Sequence, residues 1–173
     1  MPKVNEVQNC KTSGLTCGKC GEVIPKGGPY VWWKFMRGGK YVRCKKPSCA
    51  PRPADLTRSE FWSFVYDLQD SAFHISESTT IDDLISERDD VVSQLEEQAD
   101  ELDGKLDNMP DGLRDGDTGQ MLQERSNALR EIASSLESVD TDLDDDLSDE
   151  DRRVRIVEVV DELQSIVNDV SCS

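Results

Sequence analysis

Cys17-Gly18-Lys19-Cys20-Gly21 and Cys44-Lys45-Lys46-Pro47-Ser48-Cys49 are the stretches whose reading decides how this chain folds. Two thiolates spaced by two residues turn onto one ion, and Gly18 and Gly21 tolerate the tight backbone that this requires. The second pair has a four-residue spacer, and 23 residues separate Cys20 from Cys44, enough for two short hairpin strands. Four thiolates close a tetrahedral structural site and leave no position for water. The expected ligands are therefore Cys17, Cys20, Cys44 and Cys49, around one structural Zn2+. Disulfides are the weaker rival, because the opening MPKVNEVQNC has no apolar stretch of a secretion signal. Cys10 reads as a spare thiol, Cys172 as a frayed terminal one, and His74, the sole histidine, as a surface or boundary residue.

Between the cysteine pairs the pattern is β. Val23-Ile24 leads into the turn-forming run Pro25 to Pro29, and Tyr30-Val-Trp-Trp-Lys-Phe-Met36 is rich in strand formers. Arg37-Gly38-Gly39-Lys40 reads as a hairpin turn that returns the chain through Tyr41-Val42-Arg43. Period-2 alternation puts Tyr30, Trp32, Lys34 and Met36 on one face and Val31, Trp33 and Phe35 on the other. Trp32 or Trp33 stacks on a base or fits a partner's groove, or else both pack against Phe61, Trp62 and Phe64.

Charge divides the chain in two. Of 173 residues with a formal charge of -16, residues 1–58 hold twelve basic and three acidic ones, a net +9. Residues 59–173 hold eight basic and 33 acidic ones, a net -25. All ten aromatics lie between Tyr30 and Phe73. The expected organisation is a small β zinc ribbon over 1–58, a connecting helix over 59–75 docked on it, and an all-α acidic helical hairpin or three-helix bundle over 76–173. Thr57-Arg-Ser-Glu60 has capping-box spacing ahead of an apolar face of Phe61, Phe64, Val65 and Leu68. Helical spacing recurs from Ile81 to Leu106 and from Leu122 to Val139, a narrow coiled-coil seam, with a Gly-rich loop between. Ser148 caps a last helix with Val154, Val157, Val160, Leu163, Ile166, Val167 and Val170 inward. No stretch approaches the roughly 18 apolar residues of a membrane span, so the expectation is a cytoplasmic protein.

The run Cys17-x2-Cys20-x3-Ile24-x-Lys26-Gly27, followed by an aromatic strand and a second cysteine pair, resembles zinc-ribbon and treble-clef fingers. Its opening is similar to the DNA-break finger of poly(ADP-ribose) polymerases, but those fingers use His and Cys two residues apart where this chain has Cys44 and Cys49. YVRC, PRPADLT and NMPDGL…TGQMLQER together are similar to uncharacterised zinc-ribbon and coiled-coil proteins of tailed viruses of bacteria and archaea. That resemblance implies this architecture, a viral origin and a host-cell cytoplasm, without a mechanism.

Catalysis has little support: one histidine leaves little room for a triad, and no phosphate-cradling glycine loop occurs. Asp111, Asp115 and Asp117 lack calcium-loop spacing. The expectation is a non-enzymatic adaptor. Its nucleic-acid or partner contacts would be Lys19, Lys26, Trp32, Trp33, Lys34, Lys40, Arg43, Lys45, Lys46 and Arg52, with a protein partner on the acidic helices. The alternatives are an inhibitor that blocks a host nucleic-acid-handling enzyme with its acidic bundle, or a virion assembly component. Self-association through the helices stays open beside a monomer. The eight acids from Asp140 to Asp151 read as phosphate mimicry or as simple solvation in a high-salt cytoplasm.

Overall fold

The strand formers between the cysteine pairs build an antiparallel sheet in the structure, a computed structural model that describes residues 1–74, 76, 79–142 and 147–170. The strands are β1 (Asn5–Val7), β2 (Leu15–Thr16), β3 (Val23–Ile24), β4 (Tyr30–Lys34) and β5 (Lys40–Cys44). β4 lies between β1 and β5, and β2 pairs with β3 apart from them. Register sets Trp32 opposite Val42 and Trp33 opposite Tyr41, so the two tryptophans leave opposite faces of β4. On one face Trp32, Val42, Cys44, Val7 and Leu15 pack around Cys10, Ile24 and Tyr30. On the other, Trp33 is 1% exposed and stacks on Tyr41 with ring centroids 5.6 Å apart, while Phe35 meets Tyr41 edge-on.

Two details go beyond the sequence reading. Cys10, a free thiol outside the four-cysteine cluster as expected, is a core residue, and its Sγ donates to the Thr12 carbonyl at 3.1 Å. Trp33 also has a ring partner that the sequence reading did not name, Tyr41 across the hairpin. Burying a side chain of this size contributes on the order of 2–3 kcal/mol.

After β5 the chain makes short 3-10 turns at Pro47–Cys49 and Pro53–Leu56 and enters α1 (Glu60–Ser71). The cap is Ser59, whose Oγ accepts from the Trp62 amide at 3.4 Å. Thr57, favoured by the box spacing, spends its hydroxyl on the Ser59 amide at 3.1 Å, so the cap falls two residues beyond it. Phe61, Val65, Leu68 and Ala72 form the buried stripe. The chain divides into two compact units, Met1–Tyr66 and Asp67–Ser173.

The second unit is helical: α2 (Ile81–Asp107), the single turn α3 (Asp111–Arg114), α4 (Asp117–Glu137) and α5 (Asp149–Asn168). Thr80 and Asp83 form a reciprocal cap at the start of α2, the Asp83 amide donating to Thr80 Oγ1 at 3.2 Å and the Thr80 amide to Asp83 Oδ2 at 2.9 Å. α4 runs back along α2, and α5 touches both. Leu84, Val91, Leu95, Ala99 and Leu102 of α2 are buried, as are Leu129, Ile132, Ala133 and Leu136 of α4. Ser126 Oγ donates to the Ala99 carbonyl at 3.4 Å, and Arg130 spans Asp100 and Asp103 at 2.7 and 2.8 Å.

On α5 the buried line is Ile156, Val159, Val160, Leu163 and Val167. Val154 and Val157, expected inward, are 54% and 37% exposed. Valine or isoleucine occupies so many positions from Val154 to Val160 that periodicity alone does not select the face. Just after α1, Phe73 is buried with φ +58°, a left-handed backbone costly for a bulky residue. It is pinned from both sides: its amide donates to Glu87 Oε1 at 2.7 Å and its carbonyl accepts from Gln164 Nε2 at 2.9 Å. No helix among the described residues is long and apolar enough to cross a membrane.

Candidate metal centre

The first cysteine pair lies on the turn between β2 and β3, the second between the end of β5 and the first 3-10 turn. Backbone bonds shape the turn. The Cys17 amide donates to the Glu22 carbonyl at 2.9 Å and the Gly21 amide to the Cys17 carbonyl at 3.0 Å. Gly21 sits at φ +73°, which a side chain would strain. The Gly18 amide donates to the Val42 carbonyl at 2.8 Å, tying the turn to β5, and the Cys49 amide donates to the Lys46 carbonyl at 2.9 Å.

This brings the four sulfurs of Cys17, Cys20, Cys44 and Cys49 within 4.8 Å of one another. Cys20 and Cys44 Sγ are 3.8 Å apart. A tetrahedral ion with metal–sulfur bonds of about 2.3 Å spaces its sulfurs about 3.8 Å apart. The cluster is therefore the right size for one ion, and its donor set is that of a closed structural site. Cys17 and Cys49 are buried, Cys20 is exposed and Cys44 half-buried.

Electrostatics separates the two buried thiols. Burial alone would raise Cys17, but the amides of Cys20, Cys44 and Lys19 donate to its sulfur and hold its pKa at about 6. Burial and the neighbouring thiols of Cys44, Cys20 and Cys17 push Cys49 up to about 12. The site thus presents one ready thiolate and one thiol that an arriving cation must deprotonate. His74 is exposed and outside the cluster, its Nδ1 at 3.2 Å from the Ser71 carbonyl.

No family model, curated protein or solved structure matches the chain. The site is thus defined by its own residues.

The remaining contact candidates do not form one free set. Arg43 is mostly buried, its Nη2 donates to Asp55 Oδ1 at 2.9 Å, and its guanidinium lies 5.7 Å from the Trp33 ring. Lys45 pairs with Glu6 and Lys46 with Glu22, both at 2.6 Å. Lys40 lies over the Trp32 ring at 4.6 Å, and the exposed Arg52 gives its amide to Asp55 at 3.0 Å. Trp33, fully buried, is unavailable for stacking, and Trp32 is half-buried under Lys40. Lys19, Lys26 and Lys34 are exposed and enter no ion pair among the described residues.

Sequence reasoning missed Glu6, Glu22 and Asp55, the three acids of residues 1–58, each of which holds one candidate cation. Their scarcity beside twelve basic residues was the available signal. The two lysine pairs are solvent-exposed and screened by salt, so phosphate can compete for them. The Arg43–Asp55 pair is part of the fold.

Proposed function

We propose that the chain is a zinc-stapled, non-enzymatic adaptor whose basic unit contacts nucleic acid and whose acidic helices engage a protein. The observation that carries this reading is the charge carried by the unit that holds the thiol cluster. Met1–Tyr66 contains twelve basic and four acidic residues, a formal +8, while the helical unit carries -24. Four thiolates select zinc over hard cations and give it no open position, so the ion acts on folding rather than on a substrate.

Lys19 sits between the first two thiols, Lys26 on the turn after β3 and Lys34 at the end of β4. They provide cations for phosphate, with Lys45 and Lys46 able to exchange a carboxylate for one. The acidic helices are repelled by the same phosphates, which limits non-specific coating.

The test is binding of zinc-loaded full-length protein to single- and double-stranded DNA and RNA across a salt series. Binding should weaken steeply with salt, and the Lys19→Ala/Lys26→Ala/Lys34→Ala protein should flatten log K against log salt by about 0.7–0.9 per lost phosphate contact. No binding at low salt by the wild-type chain overturns the reading.

A further inference from the structure

The first unit carries an open groove of ≈ 390 Å³ lined mainly by aromatic and apolar side chains, Pro2, Phe35, Leu56, Trp62 and Tyr66 among them, together with Thr57 and Arg58. Trp62 and Tyr66 sit one turn apart on α1 with ring centroids 5.8 Å apart and planes 28° from parallel. Phe61 braces Trp62 edge-on at 5.3 Å, so the ring is held before any ligand arrives. Arg58 lies 5.3 Å from the Phe35 ring and gives a hydrogen bond to the Arg37 carbonyl at 3.3 Å. Among the described lining residues it is the only charged side chain, and no carboxylate lines the groove.

We propose that this groove takes one base of single-stranded DNA, stacked on the Trp62–Tyr66 side, with the adjoining phosphate on Arg58. The proposal rests on the nucleic-acid reading above and moves the stacking platform away from Trp32 and Trp33. Charge decides the class of occupant. A cationic ligand meets Arg58 with no compensating acid, whereas an anionic strand finds a guanidinium at the rim of a unit that carries +8. Aromatic walls serve every base, since each has a π-face. A duplex keeps its bases stacked on each other and cannot offer one. Deoxyribose is favoured because a strand without 2′-hydroxyls brings fewer polar groups into a lining that includes apolar Pro2 and Leu56, and Thr57 Oγ1 there already accepts from the Ser59 amide.

The test uses zinc-loaded full-length protein with a short labelled DNA strand, the RNA of the same sequence and the DNA duplex, beside Trp62→Leu and Arg58→Gln. Metal content and far-UV spectra confirm that each variant is folded. The expected result is tightest binding to single-stranded DNA, a roughly tenfold to hundredfold loss in Trp62→Leu at unchanged salt slope, and a flatter slope in Arg58→Gln. On the wild-type chain, photo-crosslinking of 5-iododeoxyuridine in the strand should label Trp62, Tyr66 or Phe35, a readout that needs no variant to fold. Wild-type binding that neither substitution weakens, or crosslinks only elsewhere, overturns the groove and leaves the nucleic-acid reading standing. RNA or duplex bound as tightly as the DNA strand, or displacement of the strand by polyglutamate in a Trp62-dependent way, overturns this choice of occupant. Absence of wild-type binding to any nucleic acid removes the broader reading and the groove with it.

Discussion

Three amides converge on the sulfur of Cys17, while Cys49, equally buried, has only thiols and a serine hydroxyl near its own. The consequence is that metal uptake releases a proton from Cys49. Cys49 keeps its proton up to about pH 12 without metal, so loading must release it, and apparent affinity must rise with pH. Below pH about 6 Cys17 protonates as well and affinity falls further. Calorimetric zinc titrations in buffers of different ionisation enthalpy should show this proton release, and Cys17→Ser or Cys44→Ser should abolish stoichiometric uptake; undiminished structure in those variants without metal would refute a structural ion. The thiol set was legible because spacing alone constrains which cysteines can meet. The cation set was not, because an ion pair joins residues far apart in sequence, as Lys46 and Glu22 are. Phe73 was equally hidden: nothing local announces a buried phenylalanine at φ +58°. Phe73→Ala should destabilise the helical unit by about 3–5 kcal/mol, read as a lower urea midpoint of the far-UV signal.

At the scale of elements, helix starts are written in short polar side chains. Removing the Thr80 hydroxyl leaves the Asp83 amide unsatisfied, so Thr80→Ala should cost about 1 kcal/mol, again by urea titration. Asp83, held below its usual range by the Thr80 amide, contributes its share above the ordinary carboxylate pKa and loses it on acidification. Tight approaches are less legible. Gly119 lies inside α4 where the loop was expected to continue, and a Cβ there would sit 1.9 Å from the Arg114 carbonyl oxygen. Gly119→Ala therefore has to push α3 away from α4 and should cost at least as much as core overpacking, about 1–3 kcal/mol; a neutral substitution would show that this turn yields freely. The long helices were readable because apolar residues recur over many turns. β1 was not, since Asn5-Glu6-Val7 has almost no strand signature and becomes a strand through its pairing with β4.

For the whole molecule, composition maps onto the two units: basic residues and rings in one, acids and aliphatic helices in the other. Stripping the metal with a chelator should unfold the first unit, which has few helical residues and a thiol cluster closing its loops, while the helical unit keeps its own apolar core. Helical ellipticity that collapses together with the sheet on chelation would contradict this. The placement of rings makes the distinction observable without labels. All three tryptophans and all three tyrosines lie in Met1–Tyr66, and the described aromatic of the other unit is Phe73. Excited at tryptophan wavelengths, the protein emits from the first unit alone, and its far-UV spectrum is dominated by the second. One cuvette holds two clocks, each striking for a different half of the chain.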